Sequence, residues 1–291
     1  MQSNVAVVTT CRDDEFFLER WVKYYGDLFG KEALYVINHG NQELVRRVAE
    51  GCNLFPIPDN QRRSFNPLRW RTQNALLTAL RQWYRHVIVC DVDEFIVVDP
   101  KSGKDLKTWL DVAKSGAVYT PLGLDITHVR DREPEGIENS ILGPRRHAVI
   151  NPWYNKPCIV SRPAQLSRGG HYSTFDGFRA PKFLYLFHMK RCDFGLFSDT
   201  MNRRNDMVES MGVSDVSDTT TNKQWFVENR KDEAEFAGYE AREVDESWDF
   251  SGVRRRLKKS FRPRKDTKFY ESVRETSPNI FKLPERFSGI C

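Results

Sequence analysis

No stretch of this 291-residue sequence approaches the roughly 18–20 consecutive apolar residues that carry a helix across a bilayer. The first residues, Met1-Gln2-Ser3-Asn4, lead straight into Val5-Ala6-Val7-Val8 and lack the basic and apolar regions of a secretory signal. A cytoplasmic protein is therefore expected. The six cysteines (11, 52, 90, 158, 192 and 291) lie far apart, without CxxC or finger spacing. That argues against a disulfide framework and a zinc centre, and for free thiols in a reducing compartment. Internal repeats and Gly/Ser-rich linkers are also missing, so nothing forces a domain boundary. The net charge of +5 is small, and its distribution carries more information, because the positive charge gathers near the C-terminus. With 40% hydrophobic and 12% aromatic residues, wholesale disorder is excluded.

What is present is an alternation of short β-branched runs with amphipathic stretches. Residues 5–10, 34–37 and 52–57 read as strands, and 16–29, 42–50 and 66–86 as helices. Phe17, Trp21, Tyr24, Tyr25 and Leu28 share one face of the first helix, whose start is acidic at Asp13-Asp14-Glu15. Trp70, Ala75, Leu76, Leu77, Leu80 and Trp83 form the apolar set of the third. Such βαβ units predict an α/β fold with a mainly parallel central sheet flanked by helices. Open sheets of this kind bind ligands beyond the carboxyl ends of their strands. Three polar turns, Thr9–Asp14, Asn38–Asn41 and Asp91–Glu94, fall at those ends. Later strands are expected at 117–120, 156–160 and 183–189, with 125–147 a polar excursion. Helices are expected at 193–211 and 222–229.

The most informative segment is Val87-Ile88-Val89-Cys90-Asp91-Val92-Asp93-Glu94-Phe95-Ile96-Val97-Val98. Three acids inside a strand-like apolar run are costly without a cation or strong donors nearby. Strand alternation would place Asp91 and Asp93 on one side. Two carboxylates there form a hard oxygen site for Mg²⁺ or Mn²⁺, ions that commonly carry a substrate's phosphates.

These blocks together resemble the GT-A-fold glycosyltransferases of the family-2-like type, related in motif layout to the family-92 enzymes. The resemblance runs over roughly residues 5–200. It rests on Arg12-Asp13-Asp14-Glu15 with Glu19–Tyr25, Gln73-Asn74, Asp91-Val92-Asp93-Glu94-Phe95, Lys156–Pro163, His171 and His188-Met189-Lys190-Arg191. Two segments depart from the family pattern, Asn38–Asn41 and Pro121–Asp125. The resemblance implies a GT-A domain over 1–245 with a basic extension over 246–291. It implies transfer of a sugar from a nucleoside-diphosphate donor, a UDP-sugar first, to a glycan or glycolipid acceptor in cell-surface polysaccharide synthesis.

Residue by residue, it implies a metal held by Asp91, Asp93 and His188. Thr9, Thr10, Arg12, Asp14 and Val92 would meet the nucleotide, and Arg71, Lys190 and Arg191 the diphosphate. Asp13 and Asp14 serve equally well as helix caps, and His188 and His171 as structural histidines. Arg62, Arg63 and Arg69 lie near Arg71, and surface arginines are commonly just solvated. The general base of an inverting reaction would be Asp125 or Asp176, with Glu94 ordering the site through hydrogen bonds. Eight basic residues between 253 and 265 could hold anionic lipid at about 1 kcal/mol each, or form a solvated helix face. The rival readings are a two-metal phosphoesterase or nuclease built on Asp91, Asp93 and Glu94, and a nucleic-acid-binding module using the basic segment with Trp225, Phe226, Trp248 and Phe261. No recognised nucleic-acid motif appears, so nucleic acid is not an expected partner.

Overall fold

A computed structural model describes residues 4–59, 65–210 and 229–291. Arg62, Arg63, Trp225, Phe226 and nearly all of the helix expected over 222–229 lie outside the described residues. The chain begins with β1 (Val5–Cys11), α1 (Glu15–Phe29), β2 (Leu34–His39), α2 (Glu43–Val48), β3 (Asn53–Ile57), α3 (Phe65–Leu80) and β4 (His86–Val89). Strands β3, β2, β1 and β4 stand side by side in that order, all parallel. Both faces of this sheet are covered, as continuous apolar strands require. Val5 and Val7 pack with Leu18, Trp21 and Tyr25 of α1, whereas Ala6 and Val8 pack with Trp70, Leu77 and Leu80 of α3. Helix α1 stops at Gly30, whose φ of 86° suits glycine. Trp83, read as part of a longer third helix, is 84% exposed because α3 has already ended at Leu80.

After β4 come β5 (Glu94–Val98), α4 (Leu106–Val112), β6 (Val118–Tyr119), β7 (Leu122–Thr127), β8 (His147–Ile150), β9 (Ile159–Val160) and β10 (Leu184–Arg191). Then follow α5 (Phe194–Ser210), α6 (Asn229–Glu240), β11 (Val244–Asp245), α7 (Ser251–Ser260), β12 (Arg262–Pro263), β13 (Tyr270–Glu271) and β14 (Ile280–Lys282). The architecture is α/β and Rossmann-like, with mixed sheets flanked by helices. In place of one central sheet there are two of six strands, β3-β2-β1-β4-β9-β6 and β11-β14-β8-β7-β10-β5. The acidic segment is the crossing point between them. Strand β4 belongs to the first sheet and β5 to the second, and the four residues between them are not strand.

Residues 246–291 do not stand apart from the second sheet. Its strand β14 pairs with β8, and Phe250, Leu257, Phe281 and Phe287 enter the main core cluster. Of the eight basic residues between 253 and 265, Arg254 is buried, and Arg256, Arg262 and Arg264 pair with Glu275 or Glu271. Among the described residues, no helix is long and apolar enough to cross a membrane. All six cysteines are unpaired.

Candidate functional site

The parallel strands deliver their carboxyl ends to one edge. Arg12, just past β1, bridges to Asp59, just past β3. The Asp13 amide donates to the Gln42 side chain at 2.9 Å, and Gln42 is tied in turn to Asn38 at the end of β2. Gln73 of α3 donates to the Thr10 hydroxyl at 3.1 Å. The three polar turns do converge. Here Thr9 Oγ1, Trp70 Nε1 and Gln73 Oε1 are buried with no hydrogen-bond partner. Buried polar atoms of that kind call for an explanation such as a ligand.

The acidic cluster lies at the same edge. A turn, closed by the Glu94 amide donating to the Asp91 carbonyl at 3.0 Å, replaces the strand alternation expected to align Asp91 with Asp93. The two carboxylates therefore part company. Asp91 takes Arg69 Nη1 at 3.2 Å and Lys156 Nζ at 3.1 Å. Asp93 Oδ2 faces His188 Nε2 at 3.3 Å. Glu94 is buried, accepts from the Asp91 amide at 3.0 Å, and is ion-paired to Lys156.

His188 is fixed from three sides. Its Nδ1 donates to Asp125 Oδ1 at 2.7 Å, its ring stacks on Tyr154 at 3.7 Å between centroids, and its Nε2 points at Asp93. Asp125 is completed by Asn151 at 2.7 Å and Arg191 at 3.3 Å on its other oxygen. A register shift in β10 between His188 and Arg191 turns Arg191 back onto the face of His188. Lys190 instead lies over the ring of Phe197, 5.3 Å from its centroid.

Charge on these groups follows from their neighbours. Burial would raise the Asp91 carboxyl, but Lys156 and Arg69 hold it well below the usual carboxylate range. Burial acts alike on Asp93 and Asp125, and His188 more than offsets it, so both are lowered. His188 itself, against the cost of burial, is raised by Asp93 and Asp125 to about 9. Glu94 is pushed up to about 7, by burial and by Asp91 and Asp93, with Lys156 opposing. Asp91 and Asp93 remain open, at 23% and 18% side-chain exposure, whereas Glu94 and Asp125 are closed off. Of these four carboxylates, the first two present surface to solvent.

The structure thus brings together Asp91, Asp93, Asp125, His188 and Arg191, with Val92 buried between the aspartates. Thr9, Thr10 and Arg12 lie along the edge, and the Asp14 carbonyl accepts from Leu18 as α1 begins. Arg71 is exposed on α3. Asp176 is exposed and bonds to no member of the cluster. His171 donates to the Trp153 carbonyl at 2.7 Å, and burial lowers its pKa to about 4, so its ring is neutral. Sequence reasoning gave no role to Lys156, Tyr154, Asn151 or Asp59. Lys156 could have been found, since it heads one of the recurring blocks. The others are joined to the site only by folding.

Among the described residues, no group of three or more His, Cys, Asp and Glu side chains forms a self-sufficient metal centre. Asp93 and His188 are the pair with a donor atom each turned to the other. As placed, His188 and Asp93 form an ion pair; with the Nε2 proton removed they could offer one nitrogen and one oxygen to a divalent ion.

No protein-family model matches the chain, and no curated protein matches it. Among solved structures, it is similar to the mannose-1-phosphate geranyltransferase from Thermus thermophilus. That match covers 74% of this chain and 67% of the other, at 13% identity and a TM-score of 0.30. A likeness of that size carries no functional argument, so the reading rests on the site's own geometry. Fold and site define an α/β protein of Rossmann-like architecture with an acidic, histidine-bearing cluster at the carboxyl ends of its parallel strands.

Proposed function

We propose that this chain is a glycosyltransferase that moves a sugar from a nucleoside-diphosphate donor, with UDP-sugars the first to try, to a glycan or glycolipid acceptor. One observation carries the reading. His188, oriented by Asp125 and stacked on Tyr154, turns Nε2 onto Asp93 at the open edge where the nucleotide-side turns converge. Asp93 and His188 would hold a divalent cation, Mn²⁺ or Mg²⁺, with the Nε2 proton of His188 released to solvent as the ion binds. When bound, the ion supplies Lewis-acid stabilisation of the leaving diphosphate.

The remaining residues act through position and charge. Asp91 anchors Arg69 and Lys156 at this edge, with Glu94 as the second partner of Lys156. Asp125 is a positioning residue, because both its oxygens are engaged and its side chain is buried. Thr9, Thr10 and Arg12 lie on the nucleoside side. Trp153, His171, Tyr172, Phe178 and Phe261 line a shallow depression, and the acceptor would stack its sugar rings on these aromatic faces.

The test is thermal unfolding with a panel of nucleotide sugars, with and without Mn²⁺ or Mg²⁺, followed by release of nucleoside diphosphate with glycan acceptors. Donor-induced stabilisation should need the metal and vanish in Asp93→Asn and His188→Gln. In Asp125→Asn it should weaken by about 10–100-fold, the usual loss when a ligand's orienting partner is removed. Equal donor binding in EDTA, or in Asp93→Asn, would end the proposal.

A further inference from the structure

The other end of the second sheet holds a cavity that the reading above does not use. Strands β5 and β10 run antiparallel, with Glu94 opposite His188 and Val98 opposite Leu184. The cavity therefore lies roughly 13 Å along the strands from the acidic cluster, at about 3.3 Å per residue. Its volume is about 880 Å³, within the range of small-molecule sites. Phe183, Tyr185, Trp248 and Phe250 form an aromatic wall, and Lys101, Arg146 and Lys182 stand on its rim.

We propose that this cavity binds a phosphate-bearing anion, a phosphate ester whose organic part packs on the aromatic wall. Charge is the first reason. Six basic side chains line it against four acidic ones. Arg286 pairs with Asp99 at 2.6 and 2.8 Å, and Lys282 with Glu246 at 2.9 Å. Asp249 is turned to the amide and hydroxyl of Ser251. The surplus of two positive charges matches a phosphate dianion.

Unfilled donors are the second reason. Trp248 is buried, and its indole N–H has no hydrogen-bond partner. Arg254 is also buried. Its Nη2 donates to the Leu184 carbonyl at 2.9 Å, while Nη1, though drawn to the Tyr185 phenol, makes no well-formed hydrogen bond. Both donors are enclosed behind the cavity wall, each with almost no accessible surface, so an anion in the cavity reaches them only when that wall shifts; an unmet buried donor costs about 1–3 kcal/mol, and a charged one more, which favours such a shift. The backbone agrees. Trp248 holds a φ of 47°, the left-handed region rarely adopted by a bulky residue, and rings of Tyr185, Phe250 and Phe287 clamp it at 5.1–5.6 Å. A phosphate takes several N–H donors at once.

The experiment is calorimetric titration of the full chain with phenyl phosphate and with inorganic phosphate, at constant ionic strength in sodium chloride. Phenyl phosphate should bind at least tenfold more tightly than inorganic phosphate. Binding should fall tenfold or more in the surface double variant Lys101→Glu with Lys182→Glu, and severalfold in Trp248→Phe, which keeps the ring and removes the N–H. It should survive Asp93→Asn and Arg69→Ala, which alter the distant crevice. The proposal is overturned by absence of binding, by indifference to Lys101→Glu with Lys182→Glu, or by loss in Arg69→Ala. Equal binding of both probes, lost in the charge reversal, would assign the site to free phosphate. The outcome is independent of the glycosyltransferase reading.

Discussion

Lys156→Met tests whether the acidic crevice is held together by one buried cation. The ammonium is 3% exposed, reaches Asp91 at 3.1 Å, pairs with Glu94, and lies 5.0 Å from the centroid of the Tyr154 ring. Methionine keeps most of the aliphatic stem, so packing is largely retained and the charge alone is removed. Glu94, fully closed off, then loses its cation, and Asp91 keeps only Arg69. Breaking one side of a buried ion pair costs about 3–5 kcal/mol. For a chain of this size that lowers Tm by roughly 5–15 °C. The assay is thermal and urea unfolding at pH 7 of Lys156→Met, of Glu94→Gln, and of the double variant. Glu94→Gln retains an oxygen for the Asp91 amide but carries no charge, so the double variant should recover at least half of the loss. A Lys156→Met protein as stable as its parent would refute the reasoning. So would a double variant no better than the single.

Two further outcomes follow from other positions. Gly123 in β7 has no room for a side chain, since a Cβ there would stand 2.6 Å from the Asn155 amide nitrogen and closer still to the Tyr154 carbonyl. Gly123→Ala should therefore cost about 1–3 kcal/mol and weaken donor binding by displacing Tyr154 from His188. Unchanged unfolding and binding would show that the backbone yields freely. His86 is buried against Ser161 at 2.6 Å, and burial, with Arg85, lowers its pKa to about 4. A histidine so depressed is fully stabilising above its unfolded value near 6.5, and that stability is lost as pH falls from there toward 4. After allowance for solvent screening the loss is on the order of 1–2 kcal/mol. Unfolding free energy against pH should show this slope in the parent and a flatter one in His86→Gln.

Much of the first half was legible because its signals are local. The β-branched runs at 5–10, 34–37 and 87–90, found as strands Val5–Cys11, Leu34–His39 and His86–Val89, the helical spacing of Phe17, Trp21 and Tyr25, and Gly30 at a helix end each follow from neighbours in sequence. Helix α3 was overextended because Trp83 continues the apolar pattern after the regular helix has given way to turns at 81–83. The second sheet was not legible as a sheet. Its six strands come from between residues 94 and 282, in an order set by long-range pairing.

The sequence by itself determined that Asp91, Asp93 and Glu94 interrupt an apolar run. Because burying three acids is so costly, it also required cations or donors nearby. Tertiary structure alone decided which ones. A turn between two sheets, rather than strand alternation, sent Asp91 to Arg69 and Lys156 and left Asp93 to His188. A bulge in β10 chose Arg191 over Lys190, and the parallel pairing of β7 with β10 set Asp125 beside His188. Such choices depend on register and on which strands meet. Those are set by packing between residues distant in the chain, and no local pattern of amino acids records them.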